Sequence, residues 1–184
     1  MPTVDVTTWF LEMTDPAQLA AAPEPDPELE VRQAELPSPE LSRALYAGVG
    51  GDWYWMDRLG WSWTRWHEHL ARPELETWLA WVRGTPAGFA ELEHDGDAVE
   101  LVSFGLLPAF IGRGIGPRLL DAVLRRAWAL GPRRVWVHTC SLDGPAALRT
   151  YQRRGLTVYD EGTHTMILPA QALEPWPGAE RPPA

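Results

Sequence analysis

Apolar side chains recur along this chain in two rhythms. Residues 3–13 (TVDVTTWFLEM) have strand-like spacing, and an alanine-rich stretch then leads to Pro23-Glu-Pro-Asp-Pro27, a stiff run that continues neither helix nor sheet. The compact domain is therefore expected to begin near Leu29, with 1–28 as an N-terminal strand and linker. A short strand over 29–33 precedes Ser38-Pro39, a candidate cap with proline at the first helical position, and a helix to about Ala47 closed by Gly48, Gly50 and Gly51. A tryptophan-dense connection, 52–66, feeds a second helix ending by Pro73. Strands over 77–82 and 86–93 flank Arg83-Gly84-Thr85, and Asp95-Gly96 signals a tight hairpin into a third strand over 98–107, which makes an antiparallel meander.

The period then turns helical. Leu119, Leu120, Val123, Leu124, Ala127 and Trp128 share one face of a helix opened by Gly112 to Gly116 and stopped by Gly131-Pro132. Val135 and Val137 share a face of a strand over 134–139, a short helix covers 145–154, and 156–168 predicts a final pair of strands around Glu161-Gly162. Residues 29–170 form the expected domain, and 171–184 a loose proline-rich tail. Because the segment between Leu107 and Arg134 is long enough for a parallel crossover, the expected fold class is α/β, with a mixed, mostly antiparallel sheet and helices on both faces.

Composition narrows the chemistry. The 184 residues carry 16 basic and 25 acidic side chains, a net charge of −9, which weighs against a nucleic-acid partner and toward a cationic or neutral small substrate. Every basic residue is arginine; the missing lysine removes Schiff-base catalysis and the lysine of nucleotide phosphate loops. No apolar run is long enough to span a membrane, the first residues are neither basic nor apolar, and Cys140 has no second cysteine, so a cytoplasmic protein is expected. His67 and His69 are two apart on a helix and point to different sides, unlike a zinc pair, so no metal is expected.

The sharpest local signal is Pro108-Ala-Phe-Ile-Gly-Arg-Gly-Ile-Gly-Pro-Arg-Leu-Leu120, a strand end, three alternating glycines and an immediate helix. Such a turn can aim backbone N–H groups at an anion while the helix start adds a favourable partial charge. A dinucleotide fingerprint fails in both registers, since Pro117 or Leu119 stands where the third glycine is needed. The alternative is an ordinary structural turn.

The surroundings of that turn resemble the GNAT superfamily of N-acetyltransferases, whose pattern is Gln/Arg-x-x-Gly-x-Gly/Ala between strand and helix, then a strand, then a short helix with Tyr and a Gly-Phe. Gly114 and Gly116 match the two small positions, Leu119-Leu120 the apolar pair, Tyr151 the helix tyrosine, and Gly155-Leu156 stands where Gly-Phe is usual. The resemblance is strong from about Val99 to Tyr159 and moderate from Trp78; the N-terminal 60 residues match in element order only. Ile111 replaces Gln/Arg, and Gly144 occupies a position often filled by Asn.

The resemblance implies a splayed central strand pair with acetyl-CoA in the cleft and direct attack by the amine of a small molecule or peptide. Ile111, Gly112, Gly114, Ile115 and Gly116 would hold the pyrophosphate, with Arg113 or Arg118 adding charge. Leu106 and Leu107 would pair with the pantetheine, and the Leu106 N–H would polarise the acetyl oxygen. Tyr151 would protonate the leaving thiolate, a transfer between groups of pKa ~8.5 and ~10. Glu100 falls where the histone-acetylating branch carries its strand glutamate. A two-residue hairpin at Asp95-Gly96 would pair 94 with 97 and so set Glu91 opposite Glu100, two carboxylates that raise one pKa toward that of a base; the alternative is a solvated strand face.

The family's acceptor lies against the loop between the first two helices. Trp53, Tyr54 and Trp55 would cup a cationic amine and Asp57 would pair with it, with core packing as the alternative. Cys140, at the end of the strand beside the cleft, is expected to be structural. A homodimer is compatible with the family. Two other readings stay open: a non-catalytic acyl-CoA-binding regulatory module, for which the Ile111 and Gly144 departures argue, and a protein-interaction domain docking through the tryptophans.

Overall fold

The period-two segments form seven strands of one sheet, described over residues 3–169 in a computed structural model. In chain order the elements are β1 (Thr3–Met13), β2 (Leu29–Gln33), α1 (Pro39–Gly50), α2 (Trp63–Leu70), β3 (Leu75–Val82), β4 (Thr85–Asp95), β5 (Ala98–Leu106), α3 (Ile115–Ala129), β6 (Arg134–Cys140), α4 (Ala147–Arg153) and β7 (Thr157–Ile167). The sheet order is β2-β3-β4-β5-β6-β1-β7. Every neighbouring pair is antiparallel except β5 and β6, which α3 joins as a parallel crossover.

Two apolar layers follow from the alternation along each strand. Leu92, Leu101, Val135 and Val137 pack with Leu119, Leu120, Val123 and Leu124 of α3, and Tyr151 of α4 closes that cluster. Phe89, one residue from Ala90 and so on the opposite face, packs with Leu45, Tyr46 and Val49 of α1 and Trp66 of α2. Proline at N1 starts α1 as expected, but the Ser38 side chain makes no capping bond; Ser62 does cap α2, accepting from the Arg65 N–H at 3.2 Å.

The N-terminal segment is not a linker outside the fold. β1 lies between β6 and β7, and its Leu11 and Met13 are fully buried. Arg154, itself paired with Asp121, donates to the carbonyls of Ala20 and Ala21 at 2.9 Å each, and Arg118 donates to that of Glu24 at 2.7 Å. Two arginines thus dock the stretch that was expected to precede the domain at Leu29. The proline run carries the chain from the middle of one half-sheet to the edge strand of the other. β7 is also a single strand: Glu161 and Gly162 pair with Trp9 and Thr8 of β1, so no turn forms there. The proline-rich tail, 171–184, lies outside the described residues.

Candidate active site

β5 and β6 stay paired for three registers, ending at Glu100 opposite Trp136. Beyond that point β5 continues to Leu106 against β4 alone, while β6 continues to Cys140 against β1 alone. A bulge in β5, where Leu92 faces Leu101 but Glu91 faces Ser103, turns the free strand away. The Leu107 N–H donates to the Ala87 carbonyl at 2.8 Å, which makes Gly88 and Leu106 a non-hydrogen-bonded pair. The N–H and C=O of Leu106 therefore point away from β4, toward the gap left by β6. Leu107, by contrast, has spent its N–H on the sheet, so of the two residues expected to offer backbone groups only Leu106 does.

The free edge runs into the glycine turn. A short 3-10 turn at Pro108–Phe110 precedes Gly112 and Gly114, whose φ values of 81° and 74° suit glycine, and α3 begins at Ile115. Among the described residues the N–H groups of Gly112, Arg113 and Gly114 donate to no backbone acceptor outside the helix. Ile115 is buried in the α3 core, Ile111 is exposed, and a Cβ on Gly116 would stand 3.7 Å from the Leu106 side chain. Arg118 braces the turn from behind, donating to the Gly114 carbonyl at 2.6 Å as well as to Glu24. Arg113 lies over the Phe110 ring, 5.5 Å from its centroid.

Across the gap, Tyr151 meets Phe104 of β5 ring to ring at 5.9 Å. Burial, reinforced by the nearby Asp143 carboxylate, pushes the Tyr151 phenol well up, so it stays protonated. Asp143 organises the turn after β6: it accepts from the Thr139 hydroxyl at 2.6 Å and the Cys140 N–H at 2.9 Å. Burial and Asp143 also push the Cys140 thiol up, away from the thiolate a nucleophile needs. The Trp55 indole reaches the same carboxylate at 3.4 Å, and Gly144 lies under the Trp53 ring, where an added Cβ would touch it at 3.4 Å. The segment after α1 thereby roofs the gap on the face opposite α3 and α4.

The fold corrects the expected carboxylate pair. The hairpin loop is Gly96-Asp97, so Asp95 faces Ala98 and Glu93, not Glu91, faces Glu100. Glu91 is 1% exposed and is held by the Arg58 guanidinium at 2.6 Å and the Ser103 hydroxyl at 3.0 Å. His69 faces it at 3.8 Å. Desolvation acts to raise the Glu91 pKa, but His69 and Arg58 outweigh it and the net shift is downward, the reverse of a carboxylate tuned into a base. Arg72 donates to both oxygens of Glu93, at 2.7 and 3.0 Å, and to Nδ1 of His69 at 3.1 Å. Glu100 instead meets Nδ1 of His138 at 3.2 Å.

In the acceptor segment, Trp55 packs between Tyr46 (5.4 Å) and Phe89 (6.3 Å), so its ring belongs to the α1 core as well as to the roof. Tyr54 is half-buried in the left-handed region with φ 60°, and Asp57 is exposed. His67 stacks on Trp63 at 5.0 Å, on the other side of α2 from His69.

Residues 32–156 match the profile of the Acetyltransferase (GNAT) family. The chain belongs to that family. Solved structures agree on the fold of this GNAT domain: a GCN5-related N-acetyltransferase from Sphaerobacter thermophilus (21% identity, 88% of this chain and 51% of that one, TM-score 0.67) and one from Kribbella flavida (21%, 89% and 59%, TM-score 0.64). An aminoglycoside acetyltransferase from an uncultured soil metagenomic sample aligns over 69% of this chain and 87% of its own, at 14% identity and TM-score 0.58. The chain thus spans 51% and 59% of the first two structures' length. A search among curated proteins finds no match. Among the described residues, no helix of this GNAT domain is long and apolar enough to cross a membrane.

The residues that sequence reasoning missed are Arg58, His69, Ser103, His138 and Asp143. For His138 a signal existed: with Val135 and Val137 facing the core, 136 and 138 must face the other way. For Arg58 and His69 there was none, because their carboxylate lies on a different element.

Proposed function

We propose that this GNAT protein is an acetyl-CoA-dependent N-acetyltransferase that acts by direct attack of an amine on the thioester. The observation that carries the reading is the pair of backbone groups that Leu106 turns to the open side of β5, with the positive-φ glycines Gly112 and Gly114 following on the same connection and leading directly into α3. A pantetheine amide N–H would donate to the Leu106 carbonyl, and the turn's N–H groups and the start of α3 would hold the pyrophosphate. Arg113 supplies charge there; Arg118 acts through the turn it braces. The Leu106 N–H polarises the acetyl oxygen, and Tyr151 gives its proton to the departing thiolate. Glu100 belongs to the amine side of the gap. Glu91 is assigned to structure.

Trp53 and Tyr54 border the acceptor's entry. A net charge of −9 favours a cationic amine, and the aminoglycoside acetyltransferase of similar fold makes aminoglycosides one reasonable class beside polyamines, amino acids and peptides. A reducing cytoplasm is the proposed setting. The test is free-thiol release from acetyl-CoA against such a panel: amine-dependent release is expected, and binding of acetyl-CoA with no release toward any amine would overturn the enzymatic reading in favour of a binding module.

A further inference from the structure

The fork between β5 and β6 holds a second titratable side chain. We propose that His138 takes the proton from the acceptor amine and that Glu100 is a positioning residue acting through it. The inference rests on the acetyltransferase reading above.

Position comes first. Glu100 and Trp136 form the last pair before the strands part, and His138 is two residues further along β6, on the same face as Trp136 and opposite Val135 and Val137. That places the imidazole at the mouth of the fork, on the face roofed by the segment after α1. Orientation comes second. An ionised carboxylate only accepts, so Glu100 fixes the hydrogen on Nδ1 at 3.2 Å and leaves the Nε2 lone pair free. Access comes third: the His138 side chain is 47% exposed and that of Glu100 22%, so an arriving amine meets the imidazole before the carboxylate.

The surroundings suit a base. Phe10 of β1 (6.1 Å) and Trp136 (6.2 Å) hold the ring between them. Charged groups that face it are Glu100 from β5 and Asp143 from the turn after β6. Arg134, further back on the same strand face, is engaged by Glu12 at 2.7 Å. The hydrogen bond to Glu100, with both carboxylates' charge, raises the His138 pKa against the opposing effect of burial. The buried imidazole of His69 cannot serve, because Arg72 and the Arg58–Glu91 pair enclose it.

The step balances without another reactant. The amine nitrogen forms the C–N bond as the C–S bond breaks. The proton shed by nitrogen goes to Nε2 of His138, and the thiolate takes one from the Tyr151 hydroxyl. Both side chains are reset by exchange with solvent, and an acceptor arriving as an ammonium ion releases one net proton.

The experiment follows kcat/KM against pH for wild type, His138→Gln and Glu100→Gln, with spermidine and sisomicin as primary-amine probes. Wild type should show an acid limb; Glu100→Gln should move it to lower pH, and His138→Gln should remove it with a loss of about 10²-fold at neutral pH. Added imidazole should restore part of the activity of His138→Gly, which a structural role would not allow. Both side chains are partly exposed, so at alkaline pH, where the protonated His138–Glu100 pair no longer adds stability, unchanged thermal midpoints are expected and are checked. Turnover by wild type with the same profile in His138→Gln would overturn this assignment alone; no turnover by wild type, with acetyl-CoA bound, would overturn both it and the enzymatic reading.

Discussion

The guanidinium of Arg58 lies 2.6 Å from the carboxylate of Glu91, and their side chains are 12% and 1% exposed. This buried pair joins the segment after α1 to the middle of β4, and the Tyr46 and Trp61 rings stack on the same guanidinium at 5.6 and 5.3 Å. Burying two charges is expensive, so the pair's meaning lies in what happens when half of it is removed. Glu91→Gln leaves the buried Arg58 guanidinium without its counter-charge. It should destabilise the protein by about 3 kcal/mol in urea unfolding. Arg58→Met combined with Glu91→Leu should lose less than either single change implies, and a strictly additive double variant would show that the two residues do not act as a pair.

That pair also shows where sequence reasoning stopped. The helical period of α3, the alternation of β3 to β6 and the glycine turn were all legible, because each is encoded by neighbours in the chain. The hairpin register was off because the chain reverses at Gly96-Asp97, with φ 61° at Gly96, where an Asp95-Gly96 loop was expected. The bulge between Leu101 and Ser103 has no sequence mark, yet it decides that Glu91 meets Ser103. Thr3–Met13 was legible as a strand, but its place between β6 and β7 depends on partners at the far end of the chain. Of the site, the free edge and Tyr151 were legible; the charges that enclose Glu91 and His138 come from other elements.

Tyr151→Phe keeps the contact with Phe104 and deletes only the hydroxyl. If the phenol protonates the thiolate, kcat should fall by roughly 10²-fold while acetyl-CoA affinity and unfolding midpoint stay put. Because burial and Asp143 push this phenol up, it remains a donor throughout the working range, so wild type should show no alkaline limb from Tyr151. A limb that disappears in the Phe variant would contradict this.

The two glycines that match the family pattern should fail differently. Gly114→Ala forces an L-residue to φ 74°, worth about 1–2 kcal/mol, and sets a methyl 2.7 Å from the Arg118 guanidinium that braces the turn. It should lower both the thermal midpoint and the stabilisation by acetyl-CoA. Gly116→Ala lies inside the helix and meets only Leu106 at 3.7 Å, so stability should hold or rise by about 0.5–1 kcal/mol. Its methyl points at the strand residue proposed to carry pantetheine, and affinity should fall about tenfold. Calorimetric titration of both variants decides; unchanged affinity in each would remove the turn from the cofactor site.

Acid stability follows from three carboxylates held by arginines. Glu76 accepts from Arg126 at 2.6 and 2.9 Å, Glu93 from Arg72, and Glu91 from Arg58, and all three pKa values are lowered. For Glu76 and Glu93 the arginine hydrogen bond is the leading cause. A depressed carboxylate adds stability that is full above its unfolded pKa, about 4.3, and is lost as pH falls through the folded value. His138 works in the opposite sense: its raised pKa adds stability present below about 6.5 and lost as pH rises through the folded value. Unfolding free energy should therefore stand highest near pH 5 to 6, decline slightly toward alkaline pH, and fall steeply below about 4. Glu76→Gln isolates one contribution, because its partner Arg126 lies on α3, away from the fork. In urea titrations from pH 7 to 3 that variant should start lower than wild type and approach it as the pH falls. Parallel curves across the whole range would show that the Arg126–Glu76 pair contributes nothing that protonation can remove.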